Sequence, residues 1–261
     1  MTRAAHPARP TAPLLAVLFD ATGTLIELRE PVGESYARIA REWGVELRPS
    51  RLDAAFARVL QRTPPVAYTS DAYTSDAYTE LEHDADVIAA HEREWWRGVV
   101  RSTFLATDSS VRFADFDAFF AATFEHYNGA RAWRLRPGAR GALAALSARG
   151  LRLGVVSNFD QRLAKILQEL EIDQFFGCIM IPAQCGARKP APRIFRAALA
   201  QLGVDIRNAL YVGDDPEDEL AAAGELGLQV LDVRVLETLE ALPARLEAHA
   251  KLGRTFWSSR P

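Results

Sequence analysis

Residues 14–24 read LLAVLFDATGT: an unbroken apolar run, then an aspartate, then a turn of small residues. A short continuous apolar run suits a strand buried on both faces of a parallel sheet. Similar runs recur at Leu153–Val156, Cys178–Ile181, Ala209–Val212 and Gln229–Val233. Helical patterns separate these four. Arg140–Arg149 is rich in Ala and Leu, and Gln161–Glu171 sets Leu163, Ile166, Leu167 and Leu170 on one face. Pro192–Gly203 and Pro216–Gly227 begin at Pro and end at Gly, the punctuation of helix starts and stops. The alternation predicts an α/β fold with a mostly parallel sheet.

The stretch from Glu27 to Trp133 breaks that alternation. It holds helical patterns at Gly33–Trp43, Arg51–Gln61, Val87–Leu105 and Phe113–Tyr127, and no clear strand. A helical block of this length inside a βα series reads as an inserted second domain, because loop closure adds little entropy cost as length grows. The expected division is an α/β core at 14–26 and 134–250, and a helical insertion at 27–133. Residues 1–13 read as a disordered N-terminal extension and 251–261 as a C-terminal tail. Within the insertion, AYTSD at Ala67–Asp71 recurs at Ala72–Asp76, and AYTE follows at Ala77–Glu80. A period of five fits neither helix nor strand, so the repeat reads as a lengthened exposed loop.

Composition narrows the function. In 261 residues, 31 Lys and Arg against 34 Asp and Glu leave a net charge of −3, without the basic excess of a nucleic-acid binder. Two cysteines rule out a disulfide scaffold, and the five histidines form no pair at metal-ligand spacing. No apolar run approaches the ~20 residues of a membrane span, and no secretory pattern precedes the first strand. The reading is a cytoplasmic protein that binds neither membrane nor nucleic acid.

Chemistry concentrates where strands end, the usual ligand side of an open α/β sheet. The first strand ends in Asp20-Ala21-Thr22-Gly23-Thr24 and the second in Ser157-Asn158. Lys189-Pro190 opens a helix after the third, and the fourth ends in Gly213-Asp214-Asp215, with Asp218 and Glu219 downstream. A carboxylate exposed in a turn can attack phosphorus. The phosphate charge must then be neutralised by amides, a hydroxyl, an ammonium and Mg²⁺. Ser157, Lys189 and Asp214 offer the hydroxyl, the ammonium and a hard oxygen ligand. Taken singly, each has a plainer reading: Asp20 as a turn residue, Ser157-Asn158 as a helix cap, Lys189 and Arg188 as solvated cations, and the acids from Asp214 to Glu219 as a helix N-terminus.

In order and spacing, FDATGTL, SNFD, RKPAPRIF and VGDDPEDE resemble the haloacid dehalogenase superfamily of hydrolases. EREWWRGVVRSTF, RPGARGAL and SNFDQRL point to one branch of it. The resemblance implies a doubly wound core of strand order 3-2-1-4-5, with the helical insertion as a cap. It implies Asp20 as the nucleophile that becomes an aspartyl-phosphate, and Mg²⁺ held by Asp20, the Thr22 carbonyl and Asp214. It further implies phosphate binding by Ser157, Asn158 and Lys189, and a second acid at Glu219 or Asp218, with Glu219 the better match. The expected substrate is a small phosphorylated metabolite.

The resemblance breaks at Thr22. Phosphatases of the family carry an Asp there that protonates the leaving group, and such help is worth roughly 10²–10⁴-fold. Two alternatives stand beside a Mg²⁺-dependent phosphatase: a 2-haloacid dehalogenase in which Asp20 attacks carbon, supported by FDATGTL followed by SNF, and a binding or regulatory protein with little turnover, which Thr22 keeps open. Among the remaining features, at least one of Trp95 and Trp96 reads as core. So do Phe116, Phe119, Phe120 and Phe124. Cys178 reads as a buried apolar residue and Cys185 as a loop thiol.

Overall fold

The computed structural model describes residues 13–68 and 85–251. The N-terminal extension up to residue 12, all of the AYTSD repeat beyond Tyr68, and the C-terminal tail from residue 252 lie outside them. The chain begins with β1 (Ala16–Phe19) and β2 (Ile26–Leu28). Four helices follow: α1 (Val32–Arg41), α2 (Pro49–Arg62), α3 (Ala85–Thr107) and α4 (Phe116–His126). Then come β3 (Trp133–Leu135), α5 (Ala139–Ala148), β4 (Arg152–Val156), α6 (Arg162–Glu169), β5 (Phe176–Met180), α7 (Pro182–Cys185) and α8 (Pro192–Leu202). The chain closes with β6 (Ala209–Gly213), α9 (Glu219–Glu225), β7 (Gln229–Asp232) and α10 (Leu242–Lys251).

Five strands form a parallel sheet in the order β5-β4-β1-β6-β7. Counted along the chain without β2 and β3, this is the order 3-2-1-4-5. β1 is central, and its alternating residues feed two layers. Val17 and Phe19 pack with Leu143 and Leu146 of α5, Leu163 and Ile166 of α6 and Leu242 of α10. Ala16 and Leu18 pack on the other face with Ile194, Phe195 and Ala198 of α8 and Leu220 of α9. Burial on both faces is why these strands read as continuous apolar runs.

α1–α4 pack around a separate cluster built on Tyr36, Leu52, Val100, Phe104 and Phe119. Tyr36 stacks on Phe104 at 5.8 Å between ring centroids, and Phe113 stacks on Phe119 at 4.2 Å. Asp115 caps α4 by accepting a hydrogen bond from the Ala118 amide at 2.9 Å. Pro49 opens α2 at a position where its missing N–H costs nothing.

Four expectations need correction. The stretch Glu27–Trp133, expected to hold no clear strand, begins and ends in one: β2 and β3 pair antiparallel where the chain leaves the core and returns. Strands of three residues are too short to show alternation in sequence. The helix expected from Pro216 begins at Glu219, because Asp215 accepts from the Glu217 and Asp218 amides and holds 215–218 as a turn. Cys185 is buried within α7 rather than a loop thiol. Arg188 is only partly exposed and lines the main cavity, where a solvated side chain was expected.

Candidate active site

Three neighbouring parallel strands, β4-β1-β6, end on the same side of the sheet and carry Ser157, Asp20 and Asp214 just beyond them. The Asp20 amide donates to the Val212 carbonyl at 2.9 Å and the Ser157 amide to the Met180 carbonyl at 3.0 Å, so both loops start in sheet register. The turn after Asp20 requires a glycine. Gly23 has φ +81°, and a Cβ there would fall 2.1 Å from Asp214 Oδ2. The turn therefore lies directly against the Asp214 carboxylate, an approach that only a residue without Cβ permits. Gly23 N donates to the Ile26 carbonyl at 2.9 Å, and the Arg136 guanidinium donates to the Gly23 carbonyl.

Lys189 is the hub. Its side chain is 1% exposed. Nζ lies 2.5 Å from Asp20 Oδ1 and 2.6 Å from Glu219 Oε2, and it donates to the Tyr211 hydroxyl at 2.9 Å. Tyr211 in turn donates to Glu219 Oε2 at 2.8 Å. Burial raises the Tyr211 phenol well above its usual pKa, and the neighbouring Asp20 and Glu219 charges act in the same direction, so it remains a neutral donor. Burial also raises the Asp20 carboxyl, opposed by the Lys189 charge and hydrogen bond and reinforced by Asp214. Asp214 is raised by burial first, then by Glu219.

The other expected residues sort by placement. Asn158 donates from Nδ2 to the Lys189 carbonyl at 3.0 Å, and its Oδ1 accepts from the Lys189 amide at 2.7 Å. Its amide thus clasps the lysine backbone. Ser157 is buried, and its Oγ accepts from the Phe159 amide at 3.4 Å. Thr22 is exposed toward the cavity above Asp20. Glu219 turns inward, whereas Asp218 is exposed outside the cluster. Tyr211 was missed by sequence reasoning. The available signal was a tyrosine inside the apolar strand ALYVG, two residues before the turn, where a buried hydroxyl needs a partner.

The Asp20 and Asp214 carboxylates and the Thr22 carbonyl are hard oxygens that could hold Mg²⁺. The charge of Asp214 raises the Asp20 pKa, a repulsion that a cation would relieve. Among the described residues no three His, Cys, Asp or Glu side chains converge on one point. A cation here would depend on water for further ligands, as Mg²⁺ usually does.

Above the cluster lies a cavity of about 610 Å³ between the sheet ends and α1–α4. Asp20, Thr22, Ser157, Asn158, Lys189 and Glu219 line its floor, and its walls are mostly apolar and rich in aromatic rings. Both Trp95 and Trp96 face it, and Trp96 also packs against the α1–α4 cluster, as expected of at least one of the two. The Trp96 indole N–H donates to Asp160 Oδ2 at 2.6 Å, and Asp160 is also paired with Arg162 at 2.5 Å. The Arg162 guanidinium lies over the Phe124 and Trp96 rings at 4.4 and 5.1 Å. Glu92 of α3 accepts from the Gln161 amide at 3.1 Å and from the Tyr68 hydroxyl at 2.8 Å. Burial raises its pKa against those two hydrogen bonds.

A central parallel strand ending in a buried carboxylate, clamped by a lysine from the loop two strands away, defines a hydrolase of the haloacid dehalogenase type. The chain belongs to the haloacid dehalogenase-like hydrolase family, whose pattern matches residues 14–225. It is 34% identical over 198 residues to haloacid dehalogenase-like hydrolase domain-containing protein 3 of Homo sapiens, covering 76% of this chain and 72% of that one. Among solved structures it is similar to a HAD phosphatase from Thermococcus onnurineus, with TM-score 0.54, 20% identity and coverage of 84% and 86% of the two chains. It is similar also to a 2-haloacid dehalogenase from Pseudomonas syringae pv. Tomato DC3000, with TM-score 0.56, 20% identity and coverage of 90% and 99%. At that identity these structures speak to the fold alone. Among the described residues no helix is long and apolar enough to cross a membrane.

Proposed function

We propose that this hydrolase is a phosphatase acting on a small phosphate monoester, with Asp20 as nucleophile and α1–α4 as a cap over the site. The observation that carries the reading is the buried Asp20–Lys189 contact of 2.5 Å on the floor of the cavity. The ammonium offsets the repulsion between an attacking carboxylate and an anionic ester, and remains in place as charge develops on the phosphoryl oxygens. Glu219 and Tyr211 fix Nζ from the far side, so the lysine keeps one orientation. The buried Ser157 hydroxyl sits on the same floor to meet a phosphoryl oxygen. Bound at Asp20, the Thr22 carbonyl and Asp214, Mg²⁺ would supply charge neutralisation for the phosphoryl group.

Asp214 favours this reading over displacement of halide from carbon. Attack on a haloacid needs no cation, and a second carboxylate beside the nucleophile would repel the anionic substrate. The test is steady-state hydrolysis of phosphate esters with and without Mg²⁺, with acid trapping of the phospho-enzyme. Asp20→Asn should abolish both signals. Metal-independent chloride release from a 2-chloro acid would replace this reading with dehalogenation.

A further inference from the structure

The cavity above Asp20 holds far more than a phosphate, and its walls state what the remainder should be. Trp95 and Trp96 meet edge to face at 4.8 Å, and the Phe120 and Phe124 rings lie 5.6 Å apart. The polar edges of the tryptophans are already used: Trp95 Nε1 donates to the Pro64 carbonyl at 2.7 Å and Trp96 Nε1 to Asp160. Trp95 presents apolar ring surface to a ligand, and Trp96 and Phe124 present theirs beside the Arg162 guanidinium that lies over them, a surround that favours a flat ring.

Among the described residues the carboxyl groups of these walls are all engaged, and the Tyr127 phenol, pushed up to about 12 by burial, is a poor acid. Asp160 is neutralised by Arg162, and Glu219 is held by Lys189 and Tyr211. Glu92 has both oxygens accepting, from Tyr68 and from the Gln161 amide. Thr22, exposed to the cavity two residues after the nucleophile, carries only a hydroxyl. Among the described residues, none offers an alkoxide leaving group a free carboxylic acid. A phenol ionises near pH 10, as tyrosine does. An aliphatic alcohol ionises nearer the water value of about 15.7.

We propose that the substrate is an aryl phosphate, its ring seated among Trp95, Trp96 and Phe124 and its phosphoryl group on Asp20. This rests on the reading of Asp20 as a phosphoryl acceptor. An Asp20 carboxylate oxygen forms the bond to phosphorus. The bond from phosphorus to the aryl oxygen breaks, and the phenolate leaves with the electron pair and takes a proton from solvent water. A second water then attacks the aspartyl-phosphate, restores the carboxylate and releases inorganic phosphate, and its displaced proton passes to solvent.

The experiment compares kcat/KM for phenyl phosphate, cyclohexyl phosphate and glycerol phosphate in the natural chain, Thr22→Asp and Trp96→Leu. Cyclohexyl phosphate matches the ring in bulk but leaves as an alkoxide, and glycerol phosphate lacks the apolar body. Phenyl phosphate should lead cyclohexyl phosphate by at least ~10²-fold, the lower end of general-acid assistance, and Thr22→Asp should narrow that gap by accelerating the alkyl ester. Trp96→Leu should raise KM for phenyl phosphate about tenfold, the order of a lost aromatic contact, while inhibition by inorganic phosphate stays unchanged and reports an intact floor. Equal or better turnover of either alkyl ester overturns the proposal. So does alkyl turnover that disappears in Glu92→Gln, which would make Glu92 the proton donor. Hydrolysis of no ester, with no phospho-enzyme trapped, removes the phosphoryl-acceptor reading itself, and this inference with it.

Discussion

Asn158 and Lys189 exchange two hydrogen bonds across the site, side-chain amide to main chain in both directions, at 3.0 and 2.7 Å. A residue expected to touch phosphate thus acts on the backbone that carries the ammonium. Asn158→Ala removes both bonds, each worth about 1 kcal/mol. It should lower kcat roughly 10-fold or more by loosening Nζ, with a smaller change in KM and an unchanged circular dichroism spectrum. An unchanged kcat would leave the clasp without a role in catalysis.

Lys189 bridges two carboxylates with a single charge, so its removal leaves Asp20 and Glu219 with no cation between them. Lys189→Met should cut kcat/KM by at least ~10²-fold. It should also lower stability, since breaking a buried ion pair commonly costs about 3–5 kcal/mol. Adding Glu219→Gln should recover part of the stability and none of the activity. Chemical denaturation of the two variants separates these effects, and equal stability in both would show that Glu219 contributes no strain once the lysine is gone.

Gly23 carries both a positive φ and the close approach of Asp214. Gly23→Ala should push the turn away from that carboxylate, abolish most turnover and raise the Mg²⁺ concentration needed for half activity. Titration of activity against Mg²⁺ checks this, and a wild-type titration curve in the variant would contradict it.

Chelation should separate chemistry from fold. The donors proposed for Mg²⁺ sit on strand ends that the sheet already holds in register. EDTA should therefore abolish hydrolysis while shifting Tm by only a few degrees, and excess Mg²⁺ should restore activity fully. Activity that survives EDTA would remove the metal from the mechanism.

His126 is buried among α1–α4, with Nε2 3.2 Å from Ser35 Oγ. Burial, and then the Arg38 charge, hold its pKa below the usual 6.5. The folded chain binds fewer protons here than the unfolded one, so this contribution is complete above about pH 6.5 and is lost as pH falls through the folded value. The Tm advantage of the natural chain over His126→Gln should shrink between about pH 7.5 and pH 5.5. A constant difference across that range would show that His126 binds protons alike in the folded and unfolded chains.

The sequence by itself determined which residues end the strands. Apolar runs closed by Asp20, Ser157 and Asp214 are local patterns, and burial of a parallel strand on both faces writes itself into consecutive residues. The helical block between Glu27 and Trp133 was legible for the same reason, through the periodicity of its apolar faces. Only the tertiary structure decided which side chains meet. It chose Glu219 over Asp218, because a turn capped by Asp215 sets the start of α9 and so which acid faces Lys189. It brought Tyr211 to the lysine from within a strand that reads as ordinary core. It turned both tryptophans and Arg188 toward one cavity, where a helix pattern and a charged loop say only that such residues exist. Chain spacing limits where a backbone segment can lie. The partner of a buried hydroxyl, ammonium or carboxylate is set by neighbours far away in sequence, and these are brought close only when the sheet and the helices above it pack.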